Sequence, residues 1–137
     1  MRLPILLACI CYWLLLTVLL LVPNPAALLG LHSVPVFPWG KFGIHLGFFT
    51  VLGFLANATR WPKLPSWPLI VFLVVYGITT ESLQLFVPHR TARVMDGIEN
   101  ILGIAVGSAI YWLLLRLVRP SLMPIPPVKH AVEADAD

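Results

Sequence analysis

Charged side chains are scarce in this sequence of 137 residues, and acidic ones are the scarcest. Only 11% of the residues are charged, whereas 59% are hydrophobic and the mean hydropathy is +0.91. Because a soluble domain has about 25% charged residues, this composition excludes an ordinary soluble protein and indicates a membrane protein. The nine basic residues form no run, so the net charge of +3 does not indicate nucleic acid as a partner.

Cysteine is also rare, and the two cysteines present are unsuited to a disulfide. Cys9 and Cys11 lie two residues apart in one apolar segment, where they would point to different faces of a helix. We interpret both as buried, unreactive thiols. The alternative is lipidation at Cys9, since Leu-Leu-Ala precedes it, but few residues come before it and apolar sequence continues beyond it.

Long apolar segments predict four membrane-spanning helices. A bilayer core about 30 Å thick needs about 20 mostly apolar residues per helix, and four segments approach or reach this length. The first segment, with Arg2 before it, also fits a signal peptide, but it is long for one and Pro-Asn-Pro-Ala-Ala is a poor cleavage context. We therefore predict four uncleaved spans, over residues 3–22, 42–58, 68–86 and 96–118.

The rest of the chain predicts loops and a tail. Residues 26–41 contain two prolines among apolar residues, which suits a loop lying at the membrane interface. From residue 120 onward the chain is first rich in proline and then acidic, which predicts a disordered tail. The expected organisation is one four-helix membrane domain over residues 1–119 and a cytoplasmic tail over residues 120–137.

The basic residues favour one orientation of the helices. Four spans put both termini on the same side, which would hold six of the nine basic residues and leave Lys41, Arg90 and Arg93 on the other. Positive charge is enriched in cytoplasmic loops. We therefore predict an all-α integral membrane bundle of four transmembrane helices with N- and C-termini in the cytoplasm.

The acidic residues mark a candidate site. Three of the six lie in the last five positions, and the others, Glu81, Asp96 and Glu99, all fall within residues 81–100. An acid inside a membrane segment is costly unless paired and is a functional candidate, although we expect Glu99 to be a solvated or interfacial charge. The predicted topology brings polar residues of three segments to one outer face. The candidate catalytic residues are His45, Glu81 and Asp96, and the candidate ligand-binding residues are Lys41, Gln84, Arg90 and Asn100.

Helical periodicity supports this grouping, because polar and small residues recur along single stripes that should face the bundle interior. The spacing matches no strong metal-ligand pattern, so we predict no metal ion and no other cofactor. A Gly-x-x-x-Gly surface in the fourth segment lets a neighbouring backbone approach closely. Gly103 and Gly107 are therefore expected to be packing residues, and a homo-oligomer through them is one expected partner.

Structural roles compete with the functional ones. Glu81 also fits an interhelical ion pair with Lys41 or Arg90 that only holds the bundle together. Asp96 also fits a helix cap, where an acid satisfies free amides and meets the positive end of the dipole. His45 also fits a histidine whose hydrogen bonds are purely structural.

The polar residues form three motifs that follow one another in order. They are Lys41-x-x-x-His45, then Glu81-x-x-Gln84 followed by Pro88 and Arg90, and then Arg90-x5-Asp96-x3-Asn100-x2-Gly103-x3-Gly107. In this combination, over about half of the chain, the sequence resembles the VanZ-like family of membrane proteins. One departure is Gly40, since the family commonly has an acid just before the lysine.

The resemblance implies a small multi-pass protein of the bacterial cell membrane. The founding member of the family is associated with low-level resistance to teicoplanin, a glycopeptide that binds cell-wall precursors. We predict an outer-leaflet site that binds or modifies an anionic cell-envelope lipid or a lipid-linked cell-wall precursor, with an effect on glycopeptide susceptibility. Neither cysteine lies near this site, so the residues leave open whether the protein is an enzyme. The alternative is a non-enzymatic membrane scaffold whose polar cluster is a structural latch.

Overall fold

The computed structural model describes residues 3–23, 43–59, 65–88 and 92–118. These residues form helices and no strand, which confirms the predicted all-α fold. In chain order the helices are α1 (Leu3–Leu21), α2 (Ile44–Thr59), α3 (Trp67–Gln84) and α4 (Val94–Val118).

Helices α3 and α4 begin within two residues of their predicted starts, but α3 ends at Gln84 and not at the predicted residue 86. This earlier end matters for the site. Pro68 is at the start of α3 and Pro88 lies just beyond its end, where each is compatible with its backbone. The helix ends at Gln84 because residues 85–87 donate to carbonyl groups three positions earlier and so form a tighter turn. Glu81 consequently lies only about 4.5 Å, along the axis, from the end of α3.

The most extensive contact in the bundle joins α2 and α4, and glycines make it. A Cβ atom on Gly103 would lie 2.5 Å from the carbonyl oxygen of Leu46, and one on Gly107 would overlap the carbonyl oxygen of Thr50. The Gly-x-x-x-Gly surface is therefore covered by α2 within the protomer, in keeping with the packing role expected for these glycines. A homo-oligomer stays a prediction, and a second copy would have to dock on a different surface.

The contacts also define the direction of each helix. Gly103 lies beside the start of α2, and Asn57, near the end of α2, bonds Ser108 further along α4, so α2 and α4 run parallel. Gly77, in the second half of α3, meets Asn100 near the start of α4, so α3 runs the opposite way. The start of α2, the end of α3 and the start of α4 therefore lie at the same end of the bundle.

The outer surface of the bundle is apolar. Leu14, Val75 and Leu113 are among many large hydrophobic side chains that are more than half exposed, which suits lipid rather than water. Three of the described helices are long and apolar enough to cross a membrane, and the apolar α2 is shorter, with 16 residues. The described residues thus form the helical bundle of a membrane protein, in which three or four helices are apolar enough to span.

The first helix is attached along one side only. The Tyr12 hydroxyl donates to the carbonyl oxygen of Phe48 at 2.9 Å, and the Thr17 and Tyr76 hydroxyls bond at 2.8 Å. The remaining surface of α1 faces outward. The expectation that both cysteines are buried is therefore wrong for Cys11, which is exposed, whereas Cys9 in the same helix is half-buried.

Some predictions concern parts of the chain outside the described residues. The interfacial loop predicted at residues 26–41 and the tail predicted at residues 120–137 both lie there. The cytoplasmic location of the termini and the boundary of the membrane domain at residue 119 stay predictions.

Candidate functional site

Polar side chains from three helices meet at the end of the bundle where α2 and α4 begin and α3 ends. Four of the seven predicted site residues are joined to this region by hydrogen bonds or lie buried within it: His45, Glu81, Gln84 and Asn100. Lys41 and Arg90 lie outside the described residues. The part of the cluster that the structure describes is therefore rich in carboxylates and amides.

Asn100 is the centre of this cluster. Its side chain is 1% exposed, its Nδ2 donates to the carbonyl oxygen of Gly77 at 3.2 Å, and its Oδ1 lies 3.1 Å from Nδ1 of His45. A carbonyl oxygen only accepts, so the amide nitrogen of Asn100 must face Gly77 and its oxygen must face the histidine. One amide thus connects α2, α3 and α4.

This arrangement also selects the tautomer of His45. Oδ1 of Asn100 can only accept, so Nδ1 of His45 must carry the hydrogen in that bond. In the neutral ring the lone pair is then on Nε2. The ring is half-buried on the first turn of α2, so Nε2 is the atom through which His45 can accept a proton or a hydrogen bond from a ligand.

Glu81 meets the start of α4. Its Oε1 accepts the backbone N–H of Arg93 at 2.7 Å, and Arg93 in turn accepts the N–H groups of Asp96 and Gly97 through its carbonyl oxygen. Arg93 is therefore the residue that caps α4. A carboxylate at this position lies at the positive end of the helix dipole and satisfies an N–H group that the helix leaves unpaired.

Glu99 does the same for α2. Its Oε2 accepts the backbone N–H of Gly43 at 2.9 Å, and the carbonyl oxygen of Gly43 accepts the N–H of Gly47. Gly43 has a φ of 95°, a conformation that glycine adopts without steric cost. Glu99 is only 3% exposed, so of the two roles expected for it, a solvated or an interfacial charge, the first is wrong. Its position one turn before Gly103, on the interior stripe of α4, is the sequence signal that could have identified it.

Two polar atoms in the last turn of α3 are buried without a partner. Oε2 of Glu81 and Nε2 of Gln84 form no hydrogen bond with any described residue, although their side chains are 8% and 2% exposed. One atom is an acceptor and the other a donor. Leaving each buried polar atom unpaired costs about 1–3 kcal/mol, so these atoms are suited to a bound group.

Asp96 lies beside this cluster, not at its centre. It occupies the third position of α4 and is half-buried. Since Arg93 precedes the helix, Asp96 is not the capping residue itself, but its charge lies in the first turn, where the dipole favours an acid. No three His, Cys, Asp or Glu side chains of the described residues are grouped as metal ligands.

A second buried polar contact lies nearer the other end of the α2–α4 contact, and the sequence analysis missed it. Asn57, with no exposed surface, donates through Nδ2 to the carbonyl oxygen of Gly53 at 2.8 Å and to Oγ of Ser108 at 3.0 Å. Ser108 donates onward to the carbonyl oxygen of Ile104 at 2.7 Å. The available signal was that Asn57 is the one polar residue among residues 51–58 of α2.

Comparison with known proteins identifies a family. A family model described as VanZ/LLP1 matches residues 6–116, a region that includes all four helices and the polar end of the bundle. Neither the curated proteins nor the solved structures contain a match. The chain therefore belongs to the VanZ/LLP1 family.

Proposed function

We propose that the polar end of the bundle binds the headgroup of an anionic cell-envelope lipid or of a lipid-linked cell-wall precursor. The proposal places this end in the outer leaflet of a bacterial cell membrane, as the distribution of basic residues indicates. Family membership is compatible with this role. The expected consequence is an altered susceptibility to glycopeptides such as teicoplanin.

The observation that carries the proposal is the unpaired donor and acceptor of Gln84 and Glu81. Buried polar atoms usually have a hydrogen-bond partner, and among the described residues this cluster supplies partners to Asn100 but none to these two atoms. Asn57 Oδ1 and Trp13 Nε1 are also unpaired among the described residues, but each is a single atom, whereas Glu81 and Gln84 offer an acceptor and a donor within one turn of one helix. A headgroup that enters between the helix ends would supply the missing partners. The cost of the unpaired atoms would then be recovered on binding.

Positive charge for the anionic group would come from Lys41 and Arg90. A guanidinium can hold a phosphate or carboxylate through two parallel hydrogen bonds, and an ammonium can act as a point charge. Arg93 is exposed in the described part of the site and adds a third cation. Of the three described acids, Glu81 and Glu99 accept N–H groups at helix N-termini and Asp96 lies in the first turn of α4, so the basic side chains are the groups that would bind the anion.

Binding fits the described residues better than covalent chemistry does. His45 offers a lone pair on Nε2, but both cysteines are on α1, outside the cluster. Ser82 is exposed and its hydroxyl donates to the carbonyl oxygen of Ile78. We therefore assign His45, Glu81 and Asp96 to hydrogen bonding and proton exchange with a bound headgroup.

The experiment is lipid retention by the purified protein, measured by native mass spectrometry. Wild-type protein is expected to retain phosphatidylglycerol over phosphatidylcholine of the same acyl chains. Arg90→Gln should lower this preference about tenfold, which corresponds to one lost charge-assisted hydrogen bond. Arg116→Gln is the matched control, because Arg116 is exposed in the last turn of α4, at the other end of the helix. Equal retention of both lipids by the wild type would contradict the proposal.

The structural latch is the second candidate, and the two carboxylates favour it. Glu81 and Glu99 each accept the N–H group of the residue just before another helix, which is a stabilising arrangement with or without a ligand. The two candidate functions predict different results for variants expressed in cells. If Arg90→Ala and Gln84→Leu lower membrane abundance in step with any change in teicoplanin susceptibility, the cluster is a latch; an altered susceptibility at normal abundance supports a binding site.

A further inference from the structure

The last turn of α3 indicates which chemical group of the ligand it contacts. We infer that Glu81 and Gln84 together bind a hydroxyl group, as carried by a glycerol or sugar headgroup. This inference rests on the proposed function and makes it more specific. It separates the part of the headgroup that meets α3 from the anionic part that the basic side chains would hold.

The spacing of the two residues suits a single bridging oxygen. Glu81 and Gln84 are three positions apart on one face of α3, and both are more than nine-tenths buried. Cβ atoms at this spacing are about 5–6 Å apart. An oxygen that makes two hydrogen bonds of about 2.8 Å joins atoms about 4.5 Å apart, which side chains of this length can present without leaving the helix face.

The chemistry of the two unpaired atoms excludes the other common headgroup groups. A phosphate oxygen would accept from Nε2 of Gln84 but would be repelled by the carboxylate of Glu81. An ammonium would donate to Oε2 of Glu81 but has no acceptor for Gln84. A hydroxyl donates to the carboxylate and accepts from the amide through the same oxygen, so it satisfies both atoms.

Hydrogen bonds already present hold the acceptor in place. Oε1 of Glu81 is held at 2.7 Å by the backbone N–H of Arg93, so the carboxylate cannot turn freely. Its second oxygen is left for the ligand. Gln84, at 2% exposure, is confined by its neighbours, and two confined partners of opposite kind form a selective pair.

The test compares two anionic lipids, one with hydroxyl groups in its headgroup and one without. Wild-type protein is purified and exchanged into phosphatidylcholine that contains either phosphatidylglycerol or phosphatidylmethanol, which have the same acyl chains and the same single negative charge. Native mass spectrometry then counts the retained lipid. Phosphatidylglycerol should be retained about tenfold more, because a hydrogen bond to a charged group contributes about 1.5–3 kcal/mol.

Each outcome is decisive for one of the two proposals. Equal retention of the two anionic lipids, both above phosphatidylcholine, would overturn the hydroxyl inference but not the proposed anion site. A water molecule would then be the hydrogen-bond partner of Glu81 and Gln84. Retention of neither anionic lipid above phosphatidylcholine would overturn the proposed function itself. Because this comparison uses only the wild type, it does not depend on any variant folding.

Two variants test whether Gln84 is responsible for the preference for phosphatidylglycerol. Gln84→Leu removes the donor at nearly constant volume and should abolish the preference for phosphatidylglycerol over phosphatidylmethanol while both stay above phosphatidylcholine. Ser82→Ala, on the exposed face two positions away, should keep the full preference. A Gln84→Leu protein that folds and still retains tenfold more phosphatidylglycerol than phosphatidylmethanol would show that α3 does not bind the hydroxyl group.

Discussion

Glu99 of α4 accepts the backbone N–H of Gly43, the residue just before α2. The next residue, Asn100, holds His45 on the first turn of the same helix. Two consecutive side chains of α4 therefore fix both the start of α2 and the histidine that α2 presents. The position of His45 depends on α4 as much as on its own helix.

Replacing Glu99 should lower the stability of the bundle. In Glu99→Leu the N–H of Gly43 loses its buried acceptor, and the positive end of α2 loses a charge, so we expect a loss of about 1–3 kcal/mol. Glu99→Gln keeps an acceptor oxygen and should lose less than Glu99→Leu. Thermal unfolding of the detergent-solubilised protein, followed by size-exclusion chromatography, measures this. Two variants with the unfolding temperature of the wild type would argue against the contact.

Gly107→Ala should separate α2 from α4. A Cβ atom there overlaps the carbonyl oxygen of Thr50, and backbone cannot move aside as a flexible side chain can. We expect a loss of at least about 2 kcal/mol, measured by the same unfolding assay. Gly97→Ala is the matched control, because a Cβ at Gly97 has no neighbour within 4 Å and alanine favours the helix by about 0.5–1 kcal/mol. Similar behaviour of the two variants would contradict the packing described here.

Asn100→Leu should release His45. The variant keeps the approximate size of the side chain but leaves Nδ1 of His45 without the acceptor that Asn100 provides; the carbonyl oxygen of Gly77 loses the Asn100 donor but keeps the Thr80 hydroxyl. We expect faster modification of His45 by diethyl pyrocarbonate, mapped by mass spectrometry, together with a loss of about 1–3 kcal/mol in stability. Asn57→Leu removes a buried amide outside the cluster and should leave the modification rate of His45 unchanged. A rate in Asn100→Leu that matches the wild type would show that the ring is held by other contacts.

The orientation of the chain is open to a direct test. In a background with Cys9→Ala and Cys11→Ala, a cysteine at position 89 should react with an impermeant thiol reagent in intact cells, and a cysteine at position 63 should react only after lysis. This follows from the excess of basic residues on the side of the termini. Labelling of position 63 but not position 89 in intact cells would reverse the topology and place the polar end in the inner leaflet.

Much of the fold follows from the sequence alone. Long apolar segments separated by prolines and charges predict the helices, because a membrane requires every backbone polar group to be bonded within its own helix. The polar stripes on these segments predict which faces turn inward. For the same reason the gathering of His45, Glu81 and Asn100 at one end could be expected from helix direction and phase, before any contact was known.

The partners of the buried acids were decided only by the tertiary structure. Periodicity places a residue on a face, but does not identify the other helix end that it meets. A solvated charge is one of the two roles expected for Glu99, and the structure instead shows it buried and accepting the N–H of the residue just before α2. For Glu81, one carboxylate oxygen accepts the backbone N–H of Arg93, and an ion pair with Lys41 or Arg90 stays a prediction because both lie outside the described residues. Such bonds need the donor and acceptor atoms within about 3 Å of each other. For Glu99 and Gly43 that proximity is set by how closely Gly103 and Gly107 let α2 approach α4, which is a property of the packed bundle and of no single segment.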